Sequence, residues 1–259
     1  EVDVSLISYT APTINTAGAL SARVKVTNLS GHKLPSGYGE GRRMWLNVQL
    51  LDFNGALVYE SGAYDASSAL LASDPQLRVY EVLQGIWNRN GTGTCDAVDG
   101  LGREAFHFAL NDCVAKDSRI PPLGFHPAAD GDPNGDEIRP VAYTYPEVSP
   151  GSGVLVNYDS ADYTFVLPAG TARPIKIEAG LKFQIASKDY IEFLKDESAE
   201  APAVPAENTL CTGGPGRPFN IGPQSLSRAD YLFQLWNNPA YGKSPPETAG
   251  NVATVSTPN

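Results

Sequence analysis

A mainly β, antiparallel sandwich, Ig-like or jelly-roll-like, is the fold this sequence predicts. Three observations carry that expectation. Several short runs alternate apolar and polar residues, as in "ARVKVTN" at 22–28, which is the period of a strand with one face buried. The 21 prolines and 25 glycines fall mostly between these runs, where turns need fixed or left-handed backbone. Asn54-Gly55 separates "MWLNVQLLD" from "ALVYE", and Asn-Gly between two such runs is a strong hairpin signal.

The elements follow in order. The runs at 22–27 and 44–51 flank the connection "GHKLPSGYGEGRRMW". "RVYEVLQGIW", "DYTFVLP" and "PIKIEAGLKFQI" add further strands, and many short strands with Gly/Pro turns favour a sandwich. An irregular insertion interrupts the sandwich from about 88 to 160, and connections this long carry function or need cross-links. "SKDYIEFLKDE" predicts a helix with Ser187 as N-cap and Tyr190, Ile191 and Leu194 on one face. "SRADYLFQLWNN" predicts a second, with Ser227 and Asp230 in capping-box spacing. Residues 1–200 thus form the sandwich domain. Residues 201–259 hold an Ala/Pro/Gly-rich linker, the second helix and an extended C-terminal arm that packs on the sandwich or on a partner.

The 259 residues are 42% hydrophobic and 19% charged, a globular composition with enough chain to bury a core. A net charge of −10 speaks against nucleic acid and anionic membrane surfaces, since phosphate contact needs clustered Lys and Arg. No apolar run reaches membrane-spanning length. The chain opens at Glu1 and holds one Met, which predicts a processed chain whose export signal is gone. The expected location is periplasmic, outer-surface or extracellular.

The three cysteines form no C-x-x-C pair, which excludes a zinc ribbon and a thioredoxin motif. No C-x-x-C-H occurs either, so this chain attaches no covalent c-type haem. Cys95 and Cys113 flank one irregular stretch, and a disulfide between them would staple it. Cys211 is left over.

The connection from Gly31 to Trp45 carries a histidine, four glycines and an arginine pair. His32 can project an imidazole from it, and a neutral imidazole is a standard axial ligand for haem iron. Arg42 and Arg43 can take carboxylates bidentately, haem propionates included. The plainer alternative has them order the loop by pairing with Glu40 or Asp52. His107, among aromatic neighbours in "EAFHFAL", reads as a packed strand histidine, and His126 as a turn histidine before Pro127. Asp130, Asp132, Asn134 and Asp136 alternate around Gly135, resembling the start of an oxygen-ligand calcium loop. The glutamate such a loop needs at its twelfth position is replaced by Val141, so a solvated acidic turn stays open. Asn28-Leu29-Ser30 and Asn90-Gly91-Thr92 fit the glycosylation sequon. No hydrolase, P-loop or dinucleotide motif is present.

Four stretches together resemble a known family. They are "VTNLSGHKLPSGYGEGRRMWLNVQLLD", "FHFALNDCVAKDSRIPPLGF", "LPAGTARPIKIEAGLKFQIASKDYIEFLKDE" and "RADYLFQLWNNPAYGKSPPE". Their order is similar to that in the C-terminal, β-rich region of exported bacterial multihaem c-type cytochromes. The resemblance implies a β-sandwich that accompanies a run of covalently bound haems. It also implies that the histidine of a GH-x-x-P-[ST]-G loop stands near those haems as a distal axial ligand. Here that residue is His32, with Pro35, Ser36 and Gly37 completing the motif. The departure is the missing attachment motif.

The function expected is therefore a non-catalytic accessory module docking to a multihaem cytochrome chain in extracellular electron transfer. Its haem contact would come through that partner. The alternative is a calcium-stabilised extracellular binding or adhesion module with no haem role. A metalloenzyme using His32, His107 and His126 would require three distant histidines to converge.

Overall fold

The computed structural model describes residues 1–11, 17–99, 102–107, 109–127, 144–200, 228–240 and 243–257. The acidic run Asp130, Asp132, Asn134 and Asp136, together with Cys211 and Ser227, lies outside them. Among the described residues the chain is mainly β, with antiparallel sheets and two small helices, as the sequence predicts.

Two sheets carry the core. One holds β1 (Val2–Thr10), β2 (Gly18–Asn28) and β11 (Tyr158–Leu167), in the order β1-β2-β11. The other runs β13-β12-β3-β4, from β13 (Glu247–Ser256), β12 (Lys176–Gln184), β3 (Arg43–Leu51) and β4 (Leu57–Ser61). A short β7 (Val79–Tyr80) also pairs with β3. Alternate residues turn inward, as the pleat requires. Val24 and Val26 of β2, Phe165 and Leu167 of β11, Leu46, Val48 and Leu50 of β3, and Ile177 and Leu181 of β12 are fully buried together. The Asn54-Gly55 hairpin forms as expected. Gly55 is left-handed, and Asp52 Oδ1 accepts from the backbone N–H groups of Asn54 and Ala56 at 2.8 Å each.

The run "RVYEVLQGIW" is two strands rather than one. It leaves the main sheet after β7 and enters a small sheet as β8 (Val82–Trp87), between β10 (Cys113–Asp117) and β9 (Cys95–Asp96). Ser118 fixes the switch at Glu81: its Oγ accepts from Glu81 N at 3.1 Å, and its N–H donates to Glu81 O at 3.0 Å. Cys95 and Cys113 are disulfide-bonded and hold this small sheet together. A two-stranded β5 (Tyr64–Asp65) and β6 (Leu70–Leu71) completes the β elements among the described residues.

β13 lies antiparallel along β12, so the C-terminal residues form an edge of the main sheet. Its register skips between Val252 and Ala249. The bulge places left-handed Gly250 against Val2 O, where a Cβ would collide. Asn251 then donates from Nδ2 to Val4 O at 2.7 Å and accepts at Oδ1 from Val4 N at 2.8 Å. One carboxamide thus imitates a strand backbone and closes the seam between β1 and β13.

Helix α1 (Lys188–Glu200) is capped as expected, with Tyr190 N donating to Ser187 Oγ at 3.3 Å. Its burial differs from the one-faced expectation. Ile191 packs with Trp236 of α2 (Arg228–Trp236) and Ala69, while Phe193 packs on Phe106 and His107 of the insertion. The helix is wedged between two partners, so it buries two sides. Among the described residues no helix is long and apolar enough to cross a membrane.

Candidate functional site at the 31–43 loop

The loop joining β2 to β3 is fixed at its start by Asn28. Its fully buried carboxamide donates to His32 O at 2.7 Å and to Ile120 O at 2.9 Å. Its Oδ1 accepts from Ser30 N at 2.8 Å and Ser30 Oγ at 2.7 Å. Every side-chain polar atom of Asn28 is engaged without solvent, so the first sequon has no room for a glycan. Leu34 and Ile120 exchange backbone hydrogen bonds of 3.0 and 2.9 Å, which ties the loop to the "RIPPLGF" segment.

Asp117 holds the same junction. It accepts from Lys33 Nζ at 2.9 Å and bidentately from Arg119 at 2.8 and 2.7 Å. Burial pushes its pKa up, but the Arg119 and Lys33 contacts outweigh burial and leave it below the ordinary aspartate value.

His32 is the exposed tip of this clamped backbone. Its carbonyl is held by Asn28 and by Ser30 Oγ at 3.0 Å, and its imidazole has no hydrogen-bond or ion-pair partner among the described residues. A ring presented this way is fixed at its root and open at its nitrogens. The other two histidines differ. His107 lies in irregular chain rather than a strand, and its Nε2 stands 3.1 Å from Glu197 Oε2 with Phe193 edge-on at 4.8 Å. His126 is exposed, in irregular chain just beyond the Leu123–Gly124 turn rather than in a turn of its own. Among the described residues no three His, Cys, Asp or Glu side chains group as metal ligands, so nothing there assembles the three histidines.

The arginine pair orders the loop, but through neutral acceptors rather than Glu40 or Asp52. Arg42 Nη1 donates to Ser36 O at 2.6 Å, with its guanidinium 5.9 Å from the Phe183 ring centre. Left-handed Gly37 packs so closely on that nitrogen that a Cβ would collide with it. Arg43 Nε donates to Gln184 Oε1 at 2.9 Å and its guanidinium lies 5.7 Å from the Trp45 ring. Gln184, fully buried, donates onward to Tyr64 Oη at 2.9 Å and Ser244 O at 3.0 Å. Gly41 O accepts from Ser187 N at 2.7 Å and seats the start of α1.

Residues from four separated stretches of the chain therefore meet here. The loop, the Ile120 segment, the β12–α1 junction and the chain after α2 touch through Leu34, Gly41, Gln184 and Ser244. Two features escaped sequence reading. Glu104 of the insertion stands in a small cavity with Arg42, Arg43, Glu81, Ser187 and Asp189. Burial, then repulsion from Glu81 and Asp189, raises its pKa to about 8, Arg43 opposing. An open pocket of about 320 Å³ lies on the other side of Arg42, lined by Leu34, Pro35, Ser36, Met44, Phe183 and the Glu247–Ala249 stretch. Neither leaves a periodic trace, because each draws on segments far apart in the chain.

No protein-family model matches this chain. No curated protein sequence matches it. Among solved structures it is similar to the penta-heme cytochrome c552 from Thermochromatium tepidum, at 12% identity and a TM-score of 0.44. That likeness covers 99% of this chain and 39% of the other, so the chain spans 39% of the cytochrome chain's length. At that level the likeness carries no functional weight.

Proposed function

We propose that this chain is a non-catalytic, exported accessory module that docks on a multihaem c-type cytochrome through the 31–43 end of its sandwich. His32 supplies a distal axial ligand to one of the partner's haems, and electrons pass through the partner's haems alone. The observation that carries the reading is the presentation of His32. Its backbone is immobilised by a buried asparagine and a two-way backbone bridge, while its ring is left exposed and without a protein partner. A rigid root lowers the entropy lost when a side chain is captured by a partner. The imidazole is also one of the few side chains that ligates haem iron. The Cys95–Cys113 disulfide fits an oxidising compartment.

Gentle purification from the native source tests the docking. The expected result is co-elution with a chain rich in C-x-x-C-H motifs and a strong Soret band. A protein that elutes alone and colourless, from cells in which such cytochromes are expressed, contradicts it.

A further inference from the structure

We infer that the pocket beside Arg42 binds a carboxylate carried on an apolar body. The inference deepens the reading above, in which the docking partner's haems carry such groups, but its geometry stands by itself.

The arginines of this chain are used in different ways. Arg23, Arg78 and Arg119 each present the edge formed by Nε and Nη2 to one carboxylate, at 2.6 to 3.1 Å. Arg103 divides the same edge between Asp99 and Glu197. That edge matches carboxylate geometry. Arg43 departs from it by giving Nε to neutral Gln184, and Arg173 and Arg42 by a buried Nε with no acceptor; of these, Arg42 lines the pocket beside Phe183. Its one hydrogen bond among the described residues leaves from Nη1, on the opposite side, to Ser36 O. Its Nε is buried with no acceptor, and Nη2 has no protein partner among the described residues. A buried, unpaired N–H is costly, and such exceptions in folded proteins mark absent water, strain or a ligand.

The surroundings are built around this group. Gly37 and Ser36 wrap the guanidinium, Phe183 lies against it, and the pocket wall continues through Leu34, Pro35, Met44 and Ala249. A carboxylate seated there accepts from Nη2. Nε lies on that same edge, so the second oxygen turns toward it. The apolar body lies on Met44 and Phe183. Glu247 stands at the rim, so the pocket favours one carboxylate held at Arg42 over a highly charged anion.

The test uses the full chain labelled with 15N in its arginine side chains and 4-phenylbutyrate as probe, with 4-phenylbutanol as the uncharged control. One Nε–H resonance, absent in Arg42→Gln, is expected to shift and saturate with the acid and not with the alcohol. Affinity is expected to fall about tenfold or more in Arg42→Gln, the equivalent of one lost charge-assisted contact. Arg42→Lys keeps the charge without the fork and is expected to fall in between, with melting temperatures reporting that each variant is folded. Equal binding of acid and alcohol, or undiminished binding by a folded Arg42→Gln, overturns the proposal. A second titration with a dicarboxylate porphyrin and its dimethyl ester separates the two readings. If phenylbutyrate binds at Arg42 and the porphyrin does not, the carboxylate pocket stands and its role in facing haem falls.

Discussion

The β1–β13 seam and the 31–43 loop both join distant parts of the chain, yet they do so by opposite means. At the seam, neutral groups satisfy one another completely: Asn251 uses both ends of its carboxamide on Val4, and Gly250 makes room for Val2 O. At the loop, the backbone is equally well held, but polar groups are left without partners or out of their ordinary setting. His32 is exposed, Arg42 Nε lacks an acceptor, and Glu104 is held protonated far above its ordinary range. Folded proteins depart from full satisfaction chiefly where function requires it. The seam therefore belongs to stability, and the loop is where binding chemistry is expected.

The largest effect that would break this contrast belongs at the seam. Gly250→Val places a branched side chain at a positive φ and against Val2 O. A loss of about 3 kcal/mol or more is expected from chemical denaturation. Asn251→Ala is expected to cost about 2 kcal/mol, because the amide and carbonyl of Val4 lose their partner. Both losses should be nearly independent of pH between 5 and 8, as no titrating group is involved.

The loop should behave differently with pH. Because Glu104 titrates near 8 when folded and near 4.5 when unfolded, the unfolded state binds fewer protons between those values. Its contribution is therefore fully present below about pH 4.5 and is lost as pH rises through about 8. Glu104→Gln removes that loss, so its stability relative to wild type should improve by on the order of 2 kcal/mol from pH 5 to pH 8, solvent screening included. A flat difference across that range would place Glu104 in an ordinary solvated setting. Asp117 works in the opposite direction. Its folded pKa is depressed, so its contribution is present above the unfolded value and is lost as pH falls through the folded one. The smallest effect is expected at the tip, where His32→Ala should change stability by less than about 0.5 kcal/mol.

Much of the sandwich was legible because its signals are local. The Asn54-Gly55 turn, the Ser187 cap and the cysteines flanking one insertion each declare themselves within a few residues. The strand switch at Glu81 was not, because "RVYEVLQGIW" keeps its β-forming composition through the change of sheet and only Ser118, far along the chain, marks it. β13 stands where the sequence predicts an extended arm packed on the sandwich or a partner, without marking it as a strand. An edge strand is held by its backbone, and most of its side chains remain outside the core, so alternation is weak. At the candidate site, His32 and the arginine pair stood out by residue type in a glycine-rich loop. Their partners did not: Asn28 sits at a strand end, while Gln184 and Glu104 come from other segments, and only folding shows which carbonyls and carboxylates they meet.

We propose that His32 is presented for capture by a partner's haem. The most direct measurement is the visible absorption spectrum of the purified complex with the cytochrome, wild type against His32→Ala, at matched haem content. Loss of the imidazole is expected to convert one haem from a six-coordinate, low-spin spectrum toward a high-spin one, with the melting temperature of this chain unchanged. Identical spectra from two equally stable complexes would contradict it.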